Sequence, residues 1–262
     1  MTTEKDIVQF LVKNDFFKIA EFTLNAAEEP RLTEIVLGII GNITCEPEVL
    51  ELLAGMDGLV QTILRHLSSE DSATLVQILR LLRSTLWSIQ NDAESKWRSN
   101  LRNSIFLREV VPFILKSSTN EELLIATTNF LRSSAEIDLP SGTLMEELFE
   151  GTSLLSGLLE SFEEVLPEEE AHYSTTILKY LEDWLELFSI LRKRHEILRE
   201  ILREDSLPRT IEIPRRVLTN FVDPWNLFPL DEIKASSVHR CVETILDFRW
   251  KGFVKADNTA DV

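Results

Sequence analysis

Glycine is scarce in this 262-residue chain, with only eight residues, and no long stretch alternates apolar with polar side chains. A half-buried β-strand needs that alternation, so a strand-rich fold is excluded. Leucine, isoleucine and glutamate dominate instead, which favours helices. With 44% hydrophobic residues the chain has enough apolar surface to bury a continuous core. The composition therefore predicts an all-α protein.

Cysteine and long apolar runs are also lacking. Cys45 and Cys241 are too few for a disulfide framework or a thiolate metal site, so we expect reduced thiols in an intracellular protein. The first ten residues include Glu4, Lys5 and Asp6 and contain no apolar signal region. No run approaches the roughly 18 apolar residues of a membrane span. These absences predict a soluble protein without a membrane partner.

Positive charge is in short supply, because 27 Lys and Arg face 44 Asp and Glu, for a net charge of −17. Such a field repels nucleic-acid backbones and anionic lipids, so it disfavours both as partners. Residues 138–170 contain ten carboxylates and no Lys or Arg. This acidic region is either a solvated surface or a contact for a basic partner.

The basic residues gather over 192–216, where eight positive and five negative charges leave a balance of +3. One interpretation is a self-neutralised helix, with Arg192 and Glu196 at the spacing of a surface ion pair. A second is nucleic-acid contact or nuclear import. A third is that this stretch meets the acidic region, within the molecule or in a second copy.

A repeated unit organises the chain: an apolar helix, a short polar break, then a longer apolar helix. The first helices of the units start near residues 16, 59, 110 and 154, about 43, 51 and 44 residues apart. Repeats of this length are typical of armadillo and HEAT proteins, whose units bury their apolar faces by stacking. We therefore predict a right-handed armadillo/HEAT-like α-solenoid.

The repeat also predicts the domain organisation: a single armadillo-like helical repeat domain over 1–250 and a flexible tail over 251–262. The extra residues 91–99 are predicted to be a loop, and 207–214 a break before an irregular C-terminal capping unit. Helices are predicted over 5–11, 16–26, 30–44, 48–67 (the start of unit two, through Leu59), 72–89, 104–116, 120–133, 154–165, 171–191, 192–204 and 231–248.

Catalytic and metal-binding patterns are missing. Of the histidines at positions 66, 172, 195 and 239, only His239 has a carboxylate one turn away, Glu243, and there is no third ligand. The chain contains no phosphate-binding loop, no Gly-x-Ser-x-Gly turn and no Cys-His nucleophile signature. We therefore expect a protein that is not an enzyme and uses no cofactor or metal.

Three segments carry a resemblance to a known family: 30–45 (PRLTEIVLGIIGNITC), 71–86, and 114–124 (ILKSSTNEELL). In this order and spacing they resemble the serum amyloid A-like protein family, which is armadillo-like. The resemblance covers roughly residues 5–190. It implies an intracellular protein, in the nucleus and/or cytoplasm, that is linked to promotion of cell proliferation and has no enzymatic activity.

Armadillo repeats commonly place an asparagine on the third helix, where its amide binds the main chain of an extended peptide. Asn42 is similar to that residue, since its side chain offers both a donor and an acceptor. The alternative is that Asn42 ties its own helix to a neighbouring loop. The corresponding places in units two and three are Ser84 or Thr85, and Ser133, so the asparagine is not repeated.

Arg83, Trp87 and Arg132 lie near the same edge of the predicted third helices and are candidates to line the groove. A helical tryptophan such as Trp87 is also a candidate core residue. The sequence thus predicts a non-enzymatic scaffold that binds an extended peptide or partner helix along its concave groove. The alternative is a structural subunit packed permanently in a larger complex, which a large exposed apolar patch would favour. An RNA-binding solenoid would need a basic concave surface.

Overall fold

The computed structural model describes residues 4–92, 94–140, 142–152, 154–166, 172–193 and 206–250. These residues form fifteen α-helices, a 3₁₀ turn and one small hairpin, so the prediction of an all-α protein is confirmed. The predicted tail over 251–262 and most of the helix predicted over 192–204 lie outside the described residues. The chain divides into two compact units, and the single domain predicted over 1–250 stays a prediction.

Unit 1 comprises Met1–Ile114 and Ser133–Thr152. Its helices are α1 (Glu4–Lys13), α2 (Phe16–Ala26), α3 (Pro30–Ile43), α4 (Pro47–Ala54), α5 (Asp57–Arg65), α6 (Ser72–Asn91), α7 (Lys96–Arg102) and α10 (Leu144–Leu148). The 3₁₀ turn, His66–Ser68, follows α5. Within this unit α2 packs on α5, and α3 packs on α6 along much of its length.

Unit 2 comprises Leu115–Arg132 and Ser153–Val262. Its helices are α11 (Leu155–Val165), α12 (Thr175–Leu191), α13 (Ser206–Val222), α14 (Pro224–Leu227) and α15 (Glu232–Trp250). Helix α13 packs on α11 and on α15, and α15 also packs on α12. The unit boundaries fall inside two further helices, α8 (Ile105–Ser117) and α9 (Glu121–Ala135).

Capping groups explain where several of these helices begin. Pro30 occupies the first turn of α3, where its missing N–H has no intrahelical partner to lose. The Asp71 carboxylate accepts the Thr74 N–H at 2.8 Å and starts α6. Thr143 and Glu146 form a reciprocal capping box at the start of α10. The local sequence therefore encodes the helix starts.

The apolar stripe of α6 faces inward, as the 3.6-residue period predicts. Ile78, Leu79, Leu82 and Leu86 are all buried, and α3 contributes the matching buried residues Leu37 and Ile40. The largest buried side chain of unit 1 is Trp97, whose indole N–H donates to the Leu50 carbonyl at 3.3 Å. Packing between the helices thus forms the core of unit 1.

The core of unit 2 is aromatic. Phe162 and Phe188 pack on Trp184 with ring centroids 4.9 Å and 5.1 Å away. The Trp184 indole N–H donates to the Leu158 carbonyl at 2.9 Å, and the Tyr180 hydroxyl donates to Ser161 Oγ at 3.2 Å. Both polar groups are therefore satisfied inside an apolar core, as burial requires. Tyr180, Trp184 and Phe188 of α12 are all buried.

Two sequence predictions about breaks are wrong. Lys96–Arg102, partly inside the predicted loop over 91–99, is helix α7, because Ser95 caps it and Trp97 anchors it in the core. Residues 207–214, predicted to break the helix, lie within α13. Pro208 is tolerated in the first turn, and Pro214 costs one helical hydrogen bond while its ring is buried.

A small antiparallel hairpin is a further difference from the strand-free prediction. Strand β1 (Asp138–Leu139) pairs with β2 (Gly142–Thr143), with Asp138 opposite Thr143. Gly142 adopts φ 142°, which a side chain would disfavour in so tight a turn. Two-residue strands are too short to show alternation, so no periodicity could have predicted them.

Helices α7 and α10 of unit 1 are joined by a charged pair. Arg98 Nε and Nη2 donate to the two carboxylate oxygens of Glu147 at 3.0 Å and 2.5 Å. Both side chains are mostly buried, at 20% and 12% exposure. The hydrogen bond from Arg98 holds the pKa of Glu147 below its usual range.

We expect Glu147→Gln to lower the free energy of unfolding at pH 7 by about 1–2 kcal/mol, as for other charge-assisted hydrogen bonds. Because the folded-state pKa is depressed, this stabilisation is complete above the unfolded-state pKa and is lost as pH falls through the folded-state pKa. Urea unfolding at pH 7 and pH 3 measures it, with the exposed Glu28→Gln as control. A variant effect that is equally large at both pH values would contradict the expectation.

Candidate functional site

The outer side of α6 carries three large side chains at helical spacing: Arg80, Arg83 and Trp87. Arg83 is exposed, and Trp87 is 49% exposed, so it is not a core residue. Helix α6 contains two arginines and no carboxylate. The charged side chains that α6 itself contributes are therefore cationic, in a chain of net charge −17.

Helix α3 packs beside α6 and also exposes side chains. Asn42 and Ile35 are exposed on it, and Ile35 is 45% accessible. Among the residues that the structure describes, none forms a hydrogen bond with the Asn42 side chain or an ion pair with Arg83. Asn42 therefore does not tie α3 to a neighbouring loop within this part of the chain. We call these exposed sides of the two helices, with Ile35, Asn42, Arg83 and Trp87, the α3–α6 face.

Two glycines lie inside α3, which is unusual because a helix-interior glycine costs roughly 1 kcal/mol relative to alanine. A Cβ on Gly38 would meet the Gln77 side chain of α6 at 3.6 Å. A Cβ on Gly41 would meet no atom within 4 Å. Close packing inside unit 1 therefore does not account for Gly41, which precedes Asn42 on this face.

Arg132, the fourth predicted site residue, lies in unit 2 and is engaged in ion pairs. Its Nε is 3.0 Å from Asp183 Oδ1, and its Nη1 donates to Glu186 Oε2 at 3.2 Å. The Asn129 amide donates to the other Asp183 oxygen at 2.9 Å. Arg132 is only 17% exposed, so its guanidinium is mostly occupied by neighbouring side chains.

The pairing continues onto α15, where Arg240 Nη2 donates to Glu186 Oε1 at 2.8 Å. Arg132, Glu186 and Arg240 are separated by 54 residues at each step, so α9, α12 and α15 carry alternating charges. Burial, together with Asp183 and Glu186, raises the pKa of the neighbouring Glu182. We call Asn129, Arg132, Asp183, Glu186 and Arg240 the charge ladder. Opposite charges at a common spacing of 54 residues are the signal of this ladder in the sequence, and it was not among the predicted site features.

The acidic and basic stretches meet in unit 2, as one of the sequence interpretations predicted. Arg209 donates through Nε and Nη2 to both oxygens of Glu163, each at 3.0 Å. Arg216 donates to the Leu166 carbonyl at 3.0 Å. Arg192 pairs with Glu243 and Asp247 on α15, whereas its predicted partner Glu196 lies outside the described residues.

The histidines and cysteines are dispersed. His66 Nε2 lies 3.0 Å from the Leu24 carbonyl, and His172 Nδ1 lies 3.2 Å from Asn226 Oδ1, while His195 is outside the described residues. Burial raises the pKa of the Cys241 thiol. Within the described ranges no three metal-ligating side chains cluster, and no helix there is long and apolar enough to cross a membrane.

The fold and the α3–α6 face define an all-α protein with an exposed helical surface that carries an arginine and a tryptophan. The chain is similar to Protein SAAL1 of Mus musculus, with 30% identity over 157 residues, which cover 60% of this chain and 32% of the mouse protein. It is also similar to Protein SAAL1 of Homo sapiens, with 29% identity over 138 residues, covering 53% of this chain and 29% of that protein. Protein saal1 of Danio rerio is 32% identical over 134 residues, which cover 50% of this chain and 28% of the zebrafish protein.

The matched segment thus spans about a third of the length of these relatives. No protein-family model matches the chain. No solved structure matches it either. The similarity agrees with the resemblance to serum amyloid A-like proteins that the sequence segments carry.

Proposed function

We propose that this chain is a non-enzymatic interaction scaffold that captures an extended peptide along the α3–α6 face. The observation that carries the proposal is the combination on this face of an exposed amide, an exposed cation and a half-exposed tryptophan. An amide pairs with peptide backbone, whereas Trp and Arg are the residues most enriched at binding hot spots.

The proposal includes an armadillo-like solenoid. Its support in unit 1 is the packing of α2 on α5 together with α3 on α6, which is the pairing that stacked two-helix repeats require. The longer helices α3 and α6 begin 42 residues apart, at Pro30 and Ser72. Location in the nucleus or cytoplasm, and a link to cell proliferation, stay predictions.

Charge indicates the kind of peptide. Arg83 is an exposed cation with no ion pair among the described residues, whereas Arg31 of α3 is paired with Glu34 at 2.5 Å. A segment with acidic residues therefore complements this face better than a basic one. Gly41 leaves room for a peptide main chain to approach the helix, which is a recurring use of glycine.

The test is selection of a random 12-residue peptide display library on the full chain, followed by fluorescence anisotropy with the enriched peptides. Asn42→Ala, Arg83→Glu and Trp87→Ala should each weaken binding about tenfold, because hot-spot truncations commonly cost more than 1 kcal/mol. Arg65→Glu makes the same charge change at an exposed position of α5 and should leave affinity unchanged.

Gly41→Ala should increase the stability of the protein and decrease its affinity for the peptide. It should raise the free energy of unfolding by about 0.5–1 kcal/mol, since its Cβ meets nothing, and yet weaken peptide binding. If enriched peptides bind every α3–α6 variant as well as the wild type, the assignment of this face is wrong.

A second candidate function is a structural subunit packed in a larger complex, and a specific observation favours it. Helices α1 and α2 pack together and expose Ile7, Phe10, Ile19 and Phe22 to between 51% and 75%. An apolar patch of this kind marks contact surfaces. Phe22→Asp in the same assay separates the two functions, because peptide capture by the α3–α6 face should survive this change.

A further inference from the structure

A short turn in unit 2 exposes an unusual amount of apolar surface. The segment 222–230, which runs from the last residue of α13 through α14, leaves Val222 76%, Trp225 86%, Phe228 61% and Leu230 54% exposed. A tryptophan exposed to this extent keeps a large apolar surface in water, which burial in an interface would relieve. We call this segment the Trp225 turn.

The Trp225 turn is held in shape by polar contacts beneath it. The Asp223 carboxylate accepts the Trp225 N–H at 2.9 Å, and the Phe228 N–H donates to the Pro224 carbonyl at 2.9 Å. The buried Lys234 ammonium donates to the carbonyls of Leu227 and Pro229 at 3.4 Å and 3.3 Å. The apolar side chains are therefore presented on an ordered backbone, which lowers the entropy cost of binding.

Asn226 fixes the other side of the turn. Its Nδ2 donates to the Asn220 carbonyl at 3.2 Å, and its Oδ1 lies 3.2 Å from His172 Nδ1. Asn226 is itself buried at 9% exposure. The turn is thus joined to α13 and to the segment that precedes α12.

A cavity of about 560 Å³ opens beside the turn. Its walls include Tyr173, Arg216, Thr219, Val222, Asp223 and Asn226. Val222 belongs both to the cavity wall and to the exposed apolar set, so the polar cavity and the apolar turn form a continuous surface. Its volume is sufficient for one or two amino-acid side chains, since ligand pockets begin near 300 Å³.

The cavity wall contains one cation, Arg216, and one carboxylate, Asp223. Among the described residues no carboxylate forms an ion pair with Arg216, whose guanidinium donates to the Leu166 carbonyl. Burial raises the pKa of Tyr173 to about 12, with Arg216 opposing the rise, so its hydroxyl stays protonated at neutral pH. The Asp223 carboxylate already accepts the Trp225 N–H. A guanidinium with hydroxyl donors nearby is a typical carboxylate-binding arrangement.

We propose that the Trp225 turn and its cavity form a second docking site, which takes an acidic segment of a partner protein. The segment places a carboxylate side chain beside Arg216 and lays apolar side chains on Trp225 and Phe228. This site is independent of the α3–α6 face and does not rest on peptide capture there. Charge complementarity selects the acidic residue, and the exposed aromatic side chains supply most of the apolar contact.

The experiment uses the full chain and the same random 12-residue display library, followed by anisotropy with synthetic peptides. Peptides that bind this site should combine Asp or Glu with aromatic or aliphatic residues, and Trp225→Ala should weaken them at least tenfold. Arg216→Gln should weaken binding of these peptides to a similar extent. Replacing the Glu of the peptide by Gln should have the same effect. Arg215→Gln, beside it on α13 and paired with Glu212, is the matched control and should bind normally.

Trp225→Ala keeps the test decisive, because a side chain with 86% exposure is not needed for folding. The proposal is overturned if no acid-containing peptide depends on Trp225 and Arg216. It is also overturned if the wild-type chain self-associates at micromolar concentration in sedimentation and Trp225→Ala abolishes this. In that case the occupant of the site is a second copy of the chain.

Discussion

Trp184→Ala is expected to lower the free energy of unfolding of unit 2 by about 3–5 kcal/mol, the usual cost of removing a large buried aromatic side chain. Trp184 is fully buried between Phe162 and Phe188, so its removal leaves a cavity. It also leaves the Leu158 carbonyl without the indole N–H that it accepts at 2.9 Å. Urea unfolding followed by far-ultraviolet circular dichroism measures the loss.

The matched control is Trp225→Ala, the same chemical change at a position 86% exposed. It should alter the free energy of unfolding by no more than about 0.5 kcal/mol. Near-equal losses in the two variants would mean that the aromatic cluster around Trp184 does not dominate the packing of unit 2.

Arg132→Leu is expected to destabilise unit 2 by about 3 kcal/mol, because removing one member of a buried ion pair leaves an uncompensated charge. Asp183 is only 6% exposed, and the Asn129 amide that donates to it carries no charge to replace the guanidinium. Glu186 would still pair with Arg240. The measurement is again urea unfolding at neutral pH.

A double-mutant cycle tests whether the loss of the Arg132–Asp183 ion pair causes the destabilisation. Arg132→Leu combined with Asp183→Leu removes both charges, so the double variant should be more stable than the sum of the two single losses implies. Arg215→Leu is the control, since its pair with Glu212 is exposed and such pairs contribute about 0–1 kcal/mol. Additive losses at Arg132 and Asp183 would show that the two side chains are not energetically coupled.

Strong periodicity made the long helices predictable. Helix α6 was predicted over 72–89 and runs over Ser72–Asn91, with its apolar stripe buried as expected. Period alone reveals which positions face inward, because side chains at three- and four-residue spacing share a face. The exposed positions of Asn42 and Arg83 follow from the same rule.

Features that depend on tertiary contacts could not be predicted from the hydrophobic periodicity of the sequence. Helix α7 is too short for a periodic signal, and it is anchored because Trp97 reaches the Leu50 carbonyl in another helix. The ion pairs of Arg132 could not be inferred from α9 alone, since both carboxylates come from α12, 51 and 54 residues away. A position near a predicted groove edge therefore does not indicate whether a cation is available for a ligand.

The two thiols have very different access to reagents. Cys45 follows α3 in unit 1 and is exposed, whereas Cys241 lies inside unit 2 with a pKa raised by burial. Only a thiolate reacts quickly with alkylating agents, so Cys45 can be labelled while Cys241 stays protected in the native state. Alkylation of Cys241 then requires unit 2 to open, so the rate of alkylation of Cys241 reports how readily unit 2 opens. The chain therefore has one attachment point near Asn42 and one built-in reporter of the integrity of unit 2.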